Sequence, residues 1–113
     1  MQKLKAGKAE PLTQVPVTIG ASGGKITCDP YTVKLYKGEE VEWHYPPGGH
    51  MIEFETIHPF GKRRHHAKGV PHVRSGPHHC SERKDFKYTI TVPGVEPLDP
   101  VVDADPRRRP TKP

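Results

Sequence analysis

Eight histidines and two cysteines are the side chains of this 113-residue chain with the most chemistry to offer. His50 stands alone after Pro46-Pro47-Gly48-Gly49, whereas His78, His79 and Cys80 are consecutive, with His72 close by. Imidazole and thiolate are borderline-to-soft ligands suited to copper or zinc. A loop folding back toward His50 would assemble a site from His50, Cys80 and one or both of His78 and His79. The spacing matches no established zinc finger or ribbon. The competing reading is an exposed, weakly chelating surface, because the adjacent pairs His65-His66 and His78-His79 point to opposite sides of an extended chain.

The cysteines admit other roles. Cys28 and Cys80 can be joined as a disulfide, closing a loop of about fifty residues and stabilising the fold by roughly a few kcal/mol, or remain separate thiols. Nucleophilic catalysis by Cys80 needs an imidazole within hydrogen-bond reach and oxyanion donors beside it, which sequence adjacency does not supply. No enzyme is expected.

The elements that must position these groups read as strands. Residues 41–55 form two alternating apolar runs around the Pro-Pro-Gly-Gly punctuation, a strand–turn–strand pattern. Period-two alternation puts His50 on the inward face with Ile52 and Phe54, and Glu53 and Glu55 on the other. Upstream, Val15, Val17 and Ile19 share a face of a segment whose Pro16 suits an edge strand. Gly20 to Gly24 is a turn, and Lys25 to Pro30 leads into a further alternating segment at Tyr31 to Leu35. Four short strands thus fill the first fifty-five residues, with no helical period of useful length.

Residues 56–83 break the pattern. Six histidines, prolines and basic side chains without apolar periodicity predict a long surface loop, in which Phe60 tucks against the edge of the core and Val70 to Val73 adds a short extended piece. Asp85 to Val92 is the clearest strand, with Phe86, Tyr88, Ile90 and Val92 inward, and Leu98 to Asp103 reads as the last. The organisation is a flexible N-terminal arm over residues 1–14, one domain over 15–103, and a flexible tail over 104–113 with nothing to bury.

Composition narrows the function classes. With 32% hydrophobic residues, 14 prolines and 11 glycines, the chain supports one small core. No apolar run is long enough to span a membrane, so a soluble protein is expected. No secretory leader is visible, which predicts a cytoplasmic protein as written, or a periplasmic or secreted one if a leader was removed. The formal charge of +5 favours anions in general. Phe60 is the only aromatic in the basic loop, so no specific nucleic-acid binding is expected, only salt-sensitive adhesion.

The order of these segments resembles the cupredoxin-like β-sandwich. Pro30-Tyr31-Thr32-Val33, then Tyr36-Lys37-Gly38-Glu39-Glu40-Val41-Glu42-Trp43, His50 with its apolar strand, and Phe86-Lys87-Tyr88-Thr89-Ile90 carry the likeness, over residues 15 to 103. The resemblance implies an all-β Greek-key sandwich of about seven or eight strands. In copper-binding members the histidine matching His50 is the first ligand, and Cys, His and Met come from the last strand pair. Here the inward position for that cysteine looks like Ile90, and no Cys, His or Met follows it. The expectation is a monomeric, non-enzymatic binding or accessory domain without an ordinary type 1 copper site, whose partner is an unidentified protein met through the 56–83 loop. The alternative is a copper- or zinc-binding protein with a rebuilt site at His50, His78, His79 and Cys80.

Overall fold

The computed structural model describes residues 13–110; the first twelve residues of the expected N-terminal arm and the last three of the expected tail lie outside them. The described chain is all-β, without a helix, in two mixed sheets. Its strands are β1 (Gln14–Ser22), β2 (Lys25–Asp29), β3 (Thr32–Leu35), β4 (Glu40–His44), β5 (Met51–Phe54), β6 (Arg64–His66), β7 (His72–Arg74), β8 (Lys84–Thr91) and β9 (Val101–Ala104). One sheet has four strands in the order β2-β1-β4-β7, the other five in the order β3-β9-β8-β5-β6. β1 runs parallel to β4 and β9 parallel to β3, and the remaining neighbours are antiparallel.

Alternation explains the layering. Val17 and Ile19 of β1, Val41 and Trp43 of β4, Ile52 and Phe54 of β5, and Tyr88 and Ile90 of β8 all turn inward and are buried. Fully burying an apolar side chain of this size is worth about 1.5–3 kcal/mol. Trp43 spans the two sheets: its ring centroid lies 5.6 Å from Tyr88 and 6.3 Å from Phe54, and its indole Nε1 donates to the Tyr88 hydroxyl at 3.1 Å.

Several expectations are revised. Residues 41–55 are not a hairpin, because β4 belongs to the four-stranded sheet and β5 to the five-stranded one. The Pro-Pro-Gly-Gly segment carries the chain between layers, and Gly48 is required there: its φ is +78°, and a Cβ would stand 2.7 Å from the Val70 carbonyl oxygen. Lys25–Asp29 is a strand in its own right, paired with β1 through the tight turn at Gly23 and Gly24, whose φ values of 63° and 79° suit a two-residue hairpin. β1 is an inner strand rather than an edge. Pro16 is tolerated because β2 pairing begins only at Thr18, leaving β4 as its neighbour there.

The 56–83 segment is more ordered than a surface loop. Phe60 is buried against Phe54, and the segment supplies one of the two edge strands of each sheet, β6 to one and β7 to the other. At the other end the last strand begins at Val101 and continues through Ala104. Ala104 and Asp105 are buried, so the start of the expected tail is part of the packed structure.

Candidate functional site

The two histidine-bearing regions singled out in the sequence sit at opposite ends of β4. His50, just before β5, is fully buried, on the inward face with Ile52 and Phe54 as its spacing requires. Its Nε2 lies 3.2 Å from the main-chain carbonyl of Trp43. A carbonyl only accepts, so Nε2 carries the proton and Nδ1 presents a lone pair that is buried without a partner. Burial pushes the His50 pKa down; the Trp43 carbonyl opposes this, and the neighbouring His44, His66 and His72 reinforce it. The ring of Tyr45 closes the site edge-on at 5.7 Å.

Across the sheet, Met51 pairs with Thr91 and Ile52 with Ile90. Continuing that register one residue places Val92, not Ile90, opposite His50. The side chain facing this imidazole across the ladder is therefore an aliphatic one.

His78 holds the other end. Its main-chain N–H donates to the Glu39 carbonyl at 3.2 Å, its Nδ1 accepts from the Cys80 N–H at 3.2 Å, and its Nε2 lies 2.8 Å from the Tyr36 carbonyl. Both ring nitrogens are thus used in joining residues 36 and 80. Glu39 and Trp43, the anchor points of His78 and His50, are four strand steps apart, about 13 Å at the rise of a β-strand. His78 and Cys80 are neighbours, His79 turns outward, and His50 is not brought to them. Among the described residues no three His, Cys, Asp or Glu side chains converge so as to hold a metal ion.

Cys80 is half-buried between two open hollows. One, of about 330 Å³, is lined by His58, Phe60, His79 and Lys84 beside it; the other, of about 560 Å³, by Lys37, Pro77, His78 and Pro106. Burial raises the Cys80 pKa against the pull of Lys84, so the thiol form is favoured. Cys28 is a separate free thiol, 3.9 Å from the Tyr88 hydroxyl and 3.5 Å from the Pro30 carbonyl. The two cysteines are not joined.

Four arginines of the basic run stand in ion pairs on the surface. Arg63 and Arg64 reach Glu53, Arg74 reaches Glu42 at 2.9 Å, and Arg83 reaches Asp103 at 2.9 Å.

His65 escaped the sequence reading. It is buried, both of its ring nitrogens are unpartnered, and Trp43, Phe54 and Phe60 surround it with centroids at 5.7, 6.2 and 5.9 Å. Burial, reinforced by the neighbouring charges of Lys62 and His58, lowers its pKa to about 4. The available clue was period two: His65 and Ala67 are buried, while Arg64, His66 and Lys68 are exposed.

No family model matches the sequence, and no curated protein matches it either. Among the described residues no helix is long and apolar enough to cross a membrane.

Proposed function

We propose that this chain is a cupredoxin-like, non-catalytic domain that works by binding, with the segment between Glu55 and Arg83 as its recognition surface and a protein with an acidic face as its partner. The observation that carries the reading is the double anchorage of that segment. β6 and β7 are hydrogen-bonded to different sheets, and alternation buries His65 and Ala67 while turning Arg64, His66, Lys68, His72 and Arg74 to solvent. Side chains displayed on paired strands lose less freedom on association than those of a floppy loop.

The four- and five-stranded layers and the parallel pairs β1/β4 and β3/β9 support the cupredoxin-like part of the proposal. Val92 opposite His50 supports a member without an ordinary electron-transfer copper site. The rival, copper or zinc held by His50, His78, His79 and Cys80, requires groups anchored at opposite ends of β4 to meet.

Photo-crosslinking tests the proposal. A crosslinker at position 66 or 68 is expected to capture one acidic protein, competed by excess unlabelled chain, whereas one at Thr27 is not. Capture through Thr27 instead, or no competed product from any position, would overturn it.

A further inference from the structure

His44 and His72 face each other directly across the β4/β7 ladder. The hydrogen bonds on either side fix the kind of pair they make. Tyr45 N–H donates to Pro71 O and Ser75 N–H to Val41 O, so the bonded rungs fall at 45/71, 43/73 and 41/75. His44/His72 and Glu42/Arg74 are the intervening non-bonded rungs, in which side chains approach most closely. Both rungs point away from the core: the His44 side chain is 43% exposed and His72 is exposed.

We infer that His44 and His72 form a two-imidazole chelate for a borderline divalent cation, copper(II) before nickel or zinc. The ring centroids are 5.8 Å apart. Imidazole nitrogens bind such ions at roughly 2.0–2.1 Å, which sets two rings around one ion about 5 Å apart, within reach of a small side-chain rotation. The order among metals follows the general stability series for nitrogen donors.

A second observation points the same way. The Nε2 of His44 lies 3.1 Å from Glu42 Oε1, and Glu42 is held in turn by Arg74 Nε at 2.9 Å. A carboxylate cannot donate, so His44 donates an Nε2–H hydrogen bond to Glu42 and keeps a lone pair on Nδ1. Carboxylate–imidazole pairs of this kind orient metal-binding histidines and fix their tautomer. Glu42 itself stays an outer partner, leaving the remaining coordination positions to water. The site is distinct from the His50, His78, His79 and Cys80 set, and it stands independently of the protein-binding proposal.

Titration of tag-free protein with copper(II) at neutral pH, followed by calorimetry and by paramagnetic broadening of histidine resonances, tests the inference. One equivalent is expected to bind with early broadening of His44 and His72. His44→Ala and His72→Ala should each weaken it by about a hundredfold, since losing either ring turns a chelate into a single contact. His79→Ala, at the far end of β4, should leave it unchanged. His44→Asn and His72→Asn preserve a polar outer face and guard against misfolding; each should reproduce the loss. Unchanged affinity in the His44 and His72 variants, or equal loss in His79→Ala, would overturn the assignment.

Discussion

Arg109 grips Glu39 with two hydrogen bonds, Nε to Oε2 at 2.7 Å and Nη2 to Oε1 at 2.8 Å, across 70 residues of chain. The guanidinium also lies over the Tyr36 ring at 4.6 Å, and the Lys37 N–H donates to Arg107 O at 2.8 Å. The segment after β9 is therefore stitched along β3 and the turn that follows it.

Removing Arg109 strands a buried carboxylate. Arg109→Ala is expected to cost about 1–3 kcal/mol in urea unfolding at pH 7. Burial opposes ionisation of Glu39, but Arg109 and the Tyr36 N–H outweigh it and lower its pKa. The contribution is thus complete above the ordinary glutamate range and lost as pH falls through the lowered value, so the variant and the native protein should converge in acid. A constant difference down to pH 2 would show that the pair does not act through charge.

His65 predicts a different acid response. Its folded pKa is about 4 against an ordinary value of 6.5, so stability is complete above 6.5 and falls as pH drops toward 4. Between pH 7 and 4.5, His65→Phe should lose about 2–3 kcal/mol less than the native protein, because each tenfold difference in proton affinity between the folded and unfolded chain is worth about 1.4 kcal/mol. Parallel losses in the two proteins would refute the buried neutral imidazole.

Neighbouring histidines should behave unequally. His78→Ala breaks the bonds to Tyr36 and Cys80 and is expected to destabilise by about 1–3 kcal/mol, whereas His79→Ala, on the exposed side, should stay within about 0.5 kcal/mol. Thermal unfolding of the two variants distinguishes them, and equal effects would contradict the placement.

Tyr88→Phe removes the hydroxyl that accepts from Trp43 Nε1 and lies 3.9 Å from Cys28 Sγ. The indole N–H is left buried and unpaired, at a cost of about 1–3 kcal/mol. A shift in the emission of Trp43, the only tryptophan, should accompany it. An unchanged midpoint would mean that another acceptor had replaced the hydroxyl.

The inward set was legible wherever alternation was strict: Val17, Ile19, Ile52, Phe54, Phe86, Tyr88, Ile90 and Val92 are buried as their period predicts, and His50 with them. Sheet membership was not. A strand–turn–strand pattern looks the same whether its arms pair or part, and only tertiary contacts separate β4 from β5. The short strand β6 was hidden, and β7 was anticipated only in part by the extended piece expected at Val70 to Val73, because three residues carry too little periodicity and because histidine is polar in sequence while His65 packs like an aromatic. The separation of His50 from His78 was hidden too, since spacing along the chain does not say which end of a strand a loop will reach. The His44/His72 rung depended on a register that no local pattern reveals.

The corner at Glu39 and Glu40 gathers distant parts of the chain. The Thr13 carbonyl accepts from the Glu40 N–H, Gln14 Nε2 and the Gly76 N–H donate to the Glu40 carboxylate, and Arg109 is fastened to Glu39. Thr13 and Arg109 are thereby moored to consecutive residues. A label attached at Thr13 or at Arg109 itself would therefore report from the same pole, at the end of β4 remote from His44.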